Sequence, residues 1–370
     1  MPKQRKIKHY RYGFSSRRQR RGRILKGLLF ILLLAALVFI GYCVSKSVGD
    51  LINRENSSQI SSQTESLVSE SSEESLISVS SEEESSSEID QTDAAVIKAI
   101  AIPKESMVSL DAVDAFLDTV DTSLYNSVVV ELKDSKGNLM YLSEVQLAQT
   151  CGAISENALD ATELAKHIQD KGFTPIARIY ALEDDIASHT SYSTSYLYQN
   201  QATITWLDRA ADQGGKSWLN PYMANAVDYL ASLSGEITKA GFKTILACGI
   251  QYPNSKYPDD MGFGPDAGSI STVDALQNVL DQMETEAARN GGTVIPVFQG
   301  EGYLEETNGL YSDSANVFTA DRTSPILTEG QENQILAAVT APVQSLVPSI
   351  QSADQISLLE TAGISSYVVG

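Results

Sequence analysis

The sequence predicts an α/β protein whose main part is a (β/α)8 barrel, carried outside a membrane by one helix and a disordered linker. Three observations predict it. From residue 94 onward, near-continuous apolar strands alternate with amphipathic helices, the pattern of a parallel sheet covered on both faces. That part spans residues 94–370, which suits one large domain better than two. No glycine-rich phosphate fingerprint follows any strand, which counts against a doubly wound nucleotide-binding sheet, the other architecture of this size.

The elements follow in order. VIKAIAIP reads as a strand, and LDAVDAFLDTV as a helix with apolar residues at helical spacing. SVVVELKD is a strand closed by the turn SKGN. ATELAKHIQDKGF is a helix that stops near Gly172, and TPIARIYAL is the next strand. NPYMANAVDYLASLSGEITKAGF is a long helix, with Asn220 as N-cap, Pro221 in the first turn and Gly241 as the stop. KTILACGI is a strand, STVDALQNVLDQMETEAARNGG a helix, and TVIPVF a strand. GQENQILAAVTAPVQSLVPS gives a helix and a strand, and SADQISLLETAGISSYVVG a last pair. About seven parallel strands can be counted. The barrel is therefore expected to be incomplete or rearranged on its last side, unless ANVFTADRTSPILTEG supplies the missing strand rather than an inserted hairpin.

The two ends of the chain differ in chemistry. Residues 1–26 hold 11 Lys or Arg and no acid, and read as a basic cytoplasmic tail. Residues 27–44 (GLLFILLLAALVFIGYCV) carry no charge, and 18 residues in a helix just reach across a thin hydrocarbon layer. The basic flank keeps the N-terminus inside, so the expectation is a single-pass cell-membrane protein whose main domain is extracellular. The alternative of a cleaved signal peptide would need an unusually long basic region, and no clear cleavage site follows. Residues 45–93 form a Ser/Glu-rich stretch with too little apolar content to fold, and read as an extracellular spacer.

All 47 acids lie beyond Val44, against the 16 basic residues left after the tail. That surface repels nucleic acid and anionic polymers but not neutral sugars. Cysteines are sparse: Cys43 lies in the apolar span, and Cys151 and Cys248 can be joined in an oxidising exterior without that being required. The histidines (His9, His167, His189) are scattered, so neither a zinc site nor a nucleophile-elbow triad is indicated, and no metal or cofactor is expected.

In a barrel the chemistry belongs at the C-terminal strand ends. VVVELKDSKG offers Glu131, Lys133 and Asp134; ARIYALEDD offers Arg178, Glu183, Asp184 and Asp185. The Cys248 strand offers only Gln251 and Tyr252, and TVIPVF runs into QGEGYLEE with Glu301, Glu305 and Glu306. Polysaccharide hydrolysis needs two facing carboxyl groups. The carboxylates singled out are Glu131, Asp134, Asp184 and Glu301. Lys133, Arg178, Trp218, Tyr222, Gln251 and Tyr252 are the candidate sugar contacts.

Three ordered blocks carry a resemblance. Glu131, Lys133, Asp134 and Gly137 form the first; Ile176, Ala177, Arg178, Ile179 and Asp184 the second; Trp218, Asn220, Pro221 and Tyr222 the third. Together they resemble the glycosyl hydrolase domain family of bacterial surface proteins, which implies a TIM-like barrel related to the alpha-amylase-like glycosidases. The likeness is good from about Val96 to Pro253 and weak beyond. In that family the strand here ending ACGIQYP usually ends Asp-Tyr-x-Arg-Phe-Pro, and its acid is the natural catalytic candidate. Here Cys248 stands at the Asp and Gln251 at the Arg, while Tyr252 and Pro253 keep the aromatic-proline turn.

Two functions from different classes follow. One is a glycosidase acting on envelope polysaccharide through a relocated carboxyl pair. The other is a non-catalytic barrel that binds a glycan or a protein partner through an aromatic-lined cleft, with Tyr180, Trp206, Trp218, Tyr222 and Tyr252 as candidates.

Overall fold

The computed structural model describes residues 95–304 and 309–370. The basic tail, the apolar span 27–44 and the linker 45–93 lie outside the described residues. Among the described residues, no helix is long and apolar enough to cross a membrane.

Eight strands close a ring: β1 (Lys98–Ala101), β2 (Ser127–Lys133), β3 (Thr174–Tyr180), β4 (Thr244–Cys248), β5 (Thr293–Gln299), β6 (Ser324–Ile326), β7 (Ser349–Ile350) and β8 (Tyr367–Val369). Each pairs in parallel with the next, and β8 pairs in parallel with β1. The expectation of an incomplete barrel is corrected here. SPI in ANVFTADRTSPILTEG is the missing strand. Three residues with a Pro at their centre, preceded by Arg and Thr, carry too little periodicity to be told from a loop by sequence alone.

Side chains alternate along each strand. Val129, Ile176, Leu246, Ile295, Val347 and Val368 fill the barrel interior. Val128, Ala177, Ile245, Val294 and Phe298 point outward into the core under the helices. Because both faces are buried, the strands read as apolar runs rather than alternations.

The helices that cover the barrel have identifiable ends. In α1 (Leu110–Leu117) the Ser109 hydroxyl accepts from the Ala112 amide, and in α2 (Ala161–Asp170) the Asp160 carboxylate accepts from Thr162 and Glu163. Gly241 ends α3 (Ala224–Ala240) with φ of 121°, and a Cβ there would press on Ala165 of α2 at 3.1 Å. Ser271 caps α4 (Thr272–Ala288), and α5 (Glu332–Ala338) and α6 (Ile356–Thr361) complete the set.

The start of α3 differs from the sequence reading. Asn220 is not its N-cap, because the helix begins at Ala224. The Asn220 side chain instead accepts from the Tyr222 amide at 3.0 Å and donates to the Phe263 carbonyl at 3.0 Å, pinning two loops together. An Asn-Pro pair signals a turn as well as a cap, and here the turn wins.

Two additions decorate the mouth side. Leu139–Tyr141 turns back antiparallel on β2 and pairs in parallel with Ile154–Leu159. A three-stranded sheet joins Leu197–Tyr198, Gln201–Thr205 and Met261–Gly262, linking the loops after β3 and β4.

Candidate functional site

At the C-terminal end of the barrel, the inward side chains change from apolar to polar. Glu131 of β2 lies in register with Arg178 of β3. The Arg178 guanidinium donates to the Gly370 carbonyl at 3.0 Å, tying β3 to the end of β8 across the mouth. Cys248 ends β4 and packs with Tyr180. Burial pushes the Cys248 thiol up to about 11, against the opposing pull of Arg178. Burial likewise pushes the Tyr180 hydroxyl to about 12. Cys151 and Cys248 are both free thiols. Alkylation of folded Cys248 is accordingly expected to be far slower at pH 8 than that of the unfolded chain, and to climb with pH toward 11. Equal rates in the two states would contradict a neutral, buried thiol.

The Ala181 amide donates to the Cys248 carbonyl at 2.7 Å and the Leu182 amide to the Gly249 carbonyl at 3.2 Å. The ladder thus runs past both strands and sets Glu183 over Gly249. Glu183 borders a cleft of about 310 Å³ together with Asp208, Lys216, Trp218, Gln251 and Asn254. Lys216 Nζ lies 3.6 Å from Glu183. Asp208 organises one wall: its carboxylate accepts from the Lys216 amide at 2.8 Å and from the Trp218 indole at 3.2 Å. The Tyr311 hydroxyl accepts from the Gln299 amide at 3.0 Å and donates to Gln251 Oε1 at 3.4 Å, which fixes the Gln251 side chain.

Glu131 and Glu183 are both held above the usual carboxylate range, in each case by burial first. Arg178 and Lys104 oppose the shift at Glu131, and Lys216 opposes it at Glu183. The sign for Glu131 follows. Its folded form holds the proton more tightly than the unfolded chain, so stability present at acid pH is lost as pH rises through the folded pKa. Glu131→Gln is therefore expected to melt higher than the wild type at pH 7 and no higher below about pH 4, where both are neutral. A variant less stable at pH 7 would show that Arg178 outweighs burial.

The other sequence candidates sit elsewhere. The register of β2 on β3 shifts after Glu131, so Lys133 aligns with outward-facing Ile179. Lys133 and Asp184 are both fully enclosed, with Nζ 3.0 Å from Oδ2. The contact is ionic rather than a well-angled hydrogen bond, because the ammonium donates to the Tyr180 and Ala181 carbonyls. Asp184 Oδ1 caps Asp185–Thr190 by accepting from the Ala187 amide at 2.8 Å. Asp134 folds the turn after β2, accepting from the Lys136 and Asn138 amides, and pairs with Lys104 at 3.1 Å. Burial raises its pKa, but hydrogen bonds from Asn138, Lys104 and Lys136 outweigh that and hold it below the usual range.

The aromatic candidates divide. Phe263 takes edge contacts from Tyr196, Tyr222 and Tyr252 at 5.6, 5.7 and 5.8 Å, and Trp206 packs on Tyr196 at 6.1 Å. Trp206 is fully enclosed and Tyr222 nearly so; they hold the loops together. Trp218 borders the polar cleft. Tyr252 and exposed Glu301 border a neighbouring one. Glu131, Arg178 and Cys248 thus meet at the barrel mouth, and Trp218 and Gln251 line the cleft that Glu183 borders.

Glu183, Asp208 and Lys216 were not singled out by sequence reasoning. For Glu183 a signal existed: Asp184 heads a short helical run as an N-cap, which leaves its neighbour free. For Asp208 and Lys216 none did, because their pairing spans a loop without periodicity. Among the described residues, no group of His, Cys, Asp and Glu could hold a metal ion.

Comparison with known proteins agrees with the barrel fold. The glycoside hydrolase domain of PgaB (BpsB) from Bordetella bronchiseptica is similar in structure, with a TM-score of 0.55 at 11% identity, over 75% of this chain and 94% of that one. That likeness shows the fold. A hypothetical protein from Ruminiclostridium thermocellum is 20% identical over 53% of this chain and 96% of its own, with a TM-score of 0.44. A GH20 beta-N-acetylhexosaminidase from Streptomyces coelicolor A3(2) gives 0.43 at 12% identity, over 69% and 47%. No curated protein matches the chain. The family model described as "Putative glycosyl hydrolase domain" matches residues 99–299, from β1 to the end of β5, and the chain belongs to that family.

Proposed function

We propose that this is a single-pass, membrane-anchored envelope protein whose extracellular barrel binds a polysaccharide at its mouth without cleaving it. One observation carries the reading. At the end of β4, where the family resemblance puts an acid, a buried Cys248 thiol faces the mouth. Held near pKa 11, it is neither a carboxylate nor a thiolate at neutral pH. The residues that remain suit sugar recognition: a Gln251 amide fixed by Tyr311, the wall formed by Asp208 and Trp218, and Lys216 beside Glu183. The basic tail and apolar span support the anchor and the outside location, and the acidic outer part argues against nucleic acid.

A second reading has its own support. Glu131 and Glu183 both reach the mouth, and carboxyls raised by burial are the kind that act as general acids. The deciding experiment incubates the purified whole chain with a panel of wall and capsule polysaccharides and follows both retention and reducing-end release, with Glu131→Gln, Glu183→Gln and Gln251→Ala beside it. Retention without release, weakened about fivefold in Gln251→Ala by loss of a hydrogen bond, is the expected result. Release that disappears in Glu131→Gln or Glu183→Gln would establish a hydrolase.

A further inference from the structure

A second cleft, of about 500 Å³, opens beside the polar one on the same end of the barrel. Pro253, Pro258, Met261, Phe263 and Leu310 line it, with Asp259 and Glu301 at the margin. Its walls are the loops after β4 and β5, held together where the Tyr252 amide donates to the Leu310 carbonyl at 2.7 Å. The Tyr252 hydroxyl donates to the Thr272 carbonyl at 2.8 Å, which anchors the same wall to α4. Exposed Asn254 borders both clefts.

We propose that the two clefts are one groove for a neutral glycan chain, in which the polar lobe holds one end of the bound stretch and the apolar lobe holds the adjoining sugars. This rests on the reading of the polar cleft as a glycan site. Four observations single out this occupant. The lobes adjoin at Asn254, which lines both, so a ligand longer than the first lobe has the second beside it. Both volumes lie within the range that small ligands fill. The chemistry also changes along the groove as a sugar chain requires: the Gln251 amide and charged partners for hydroxyls in one lobe, apolar surface for the CH faces of rings in the other. In the polar lobe Glu183 and Asp208 are matched by Arg209 and Lys216, whereas among the described residues the lining of the other lobe holds Asp259 and Glu301 and no basic residue, and that excess of carboxylate disfavours uronic, sulfated or phosphorylated chains.

Gly309 allows a clean test. It lines the apolar lobe, and a Cβ added there meets no atom within 4 Å. Gly309→Trp therefore adds bulk at the wall of the lobe without a clash at its Cβ. The whole chain would be titrated with β-1,4-linked glucose and N-acetylglucosamine oligomers of two and six units, beside Gly309→Trp and Gln251→Ala. Hexamers are expected to bind at least tenfold tighter than dimers. Gly309→Trp should remove that advantage and leave dimer affinity unchanged, whereas Gln251→Ala should weaken both lengths alike. Equal affinity for the two lengths, or a length advantage that survives Gly309→Trp, overturns the continuous groove while leaving the polar site standing. Absence of binding at every length overturns the groove and the polar site together.

Discussion

Lys133→Met is expected to destabilise the domain by about 3–5 kcal/mol, the cost of stranding a buried partner charge. Both Lys133 and Asp184 are fully enclosed, so removing the ammonium leaves the Asp184 carboxylate with no counter-charge and no water. Asp184 Oδ2 has no hydrogen-bond donor to fall back on. The Tyr180 and Ala181 carbonyls lose their donor at the same time. For a domain of this size that cost corresponds to a fall in melting temperature of roughly 10 °C. Lys133→Met combined with Asp184→Asn should recover most of the loss, because the amide keeps a cap oxygen for the Ala187 amide and no charge remains buried. Chemical denaturation of the three variants checks this. A single variant within about 1 kcal/mol of wild type would contradict a buried, unsolvated ion pair.

Gly137→Ala should have the second-largest effect, about 3 kcal/mol or more. Gly137 sits at φ of 99°, where a side chain is strained by roughly 1–3 kcal/mol. Its Cβ would also run into the Asp184 carboxylate. That carboxylate cannot yield, since Lys133 holds one oxygen and the Ala187 amide the other. The loss should therefore be smaller in an Asp184→Ala background than in wild type, a coupling read from a double-mutant cycle. Additive losses would show that backbone strain alone makes the glycine necessary.

These two variants also explain what the sequence revealed. The run Lys133, Asp134, Gly137 and the later Asp184 stood out as a family pattern, and in three dimensions they form one device: a buried ion pair, an Asp turn and a glycine that makes room. A charged residue at a strand end reads as chemistry, but a one-residue slip in β2 register after Glu131 sends Lys133 outward, while Glu131 keeps the inward face that alternation from Val129 gives it. Periodicity in the sequence does not record that slip. The long apolar strands and α2, α3 and α4 were legible because burial on both faces and capping residues leave local traces. The short strands β6 and β7 were less so, since three and two residues carry no period. Cys248 was legible as a departure at a strand end, and the structure puts it on the inner face of the barrel near the mouth. The partners Glu183, Asp208 and Lys216 come together only through loop pairing, which no short motif encodes.

The most direct test of the account is reducing-end release by the whole chain from the same envelope polysaccharides that it retains. Retention with no release from any of them, in wild type and in Glu131→Gln and Glu183→Gln alike, is the predicted result. Release by the wild type that is lost in either glutamate variant would contradict it, and would make the two raised carboxyls at the barrel mouth a working pair.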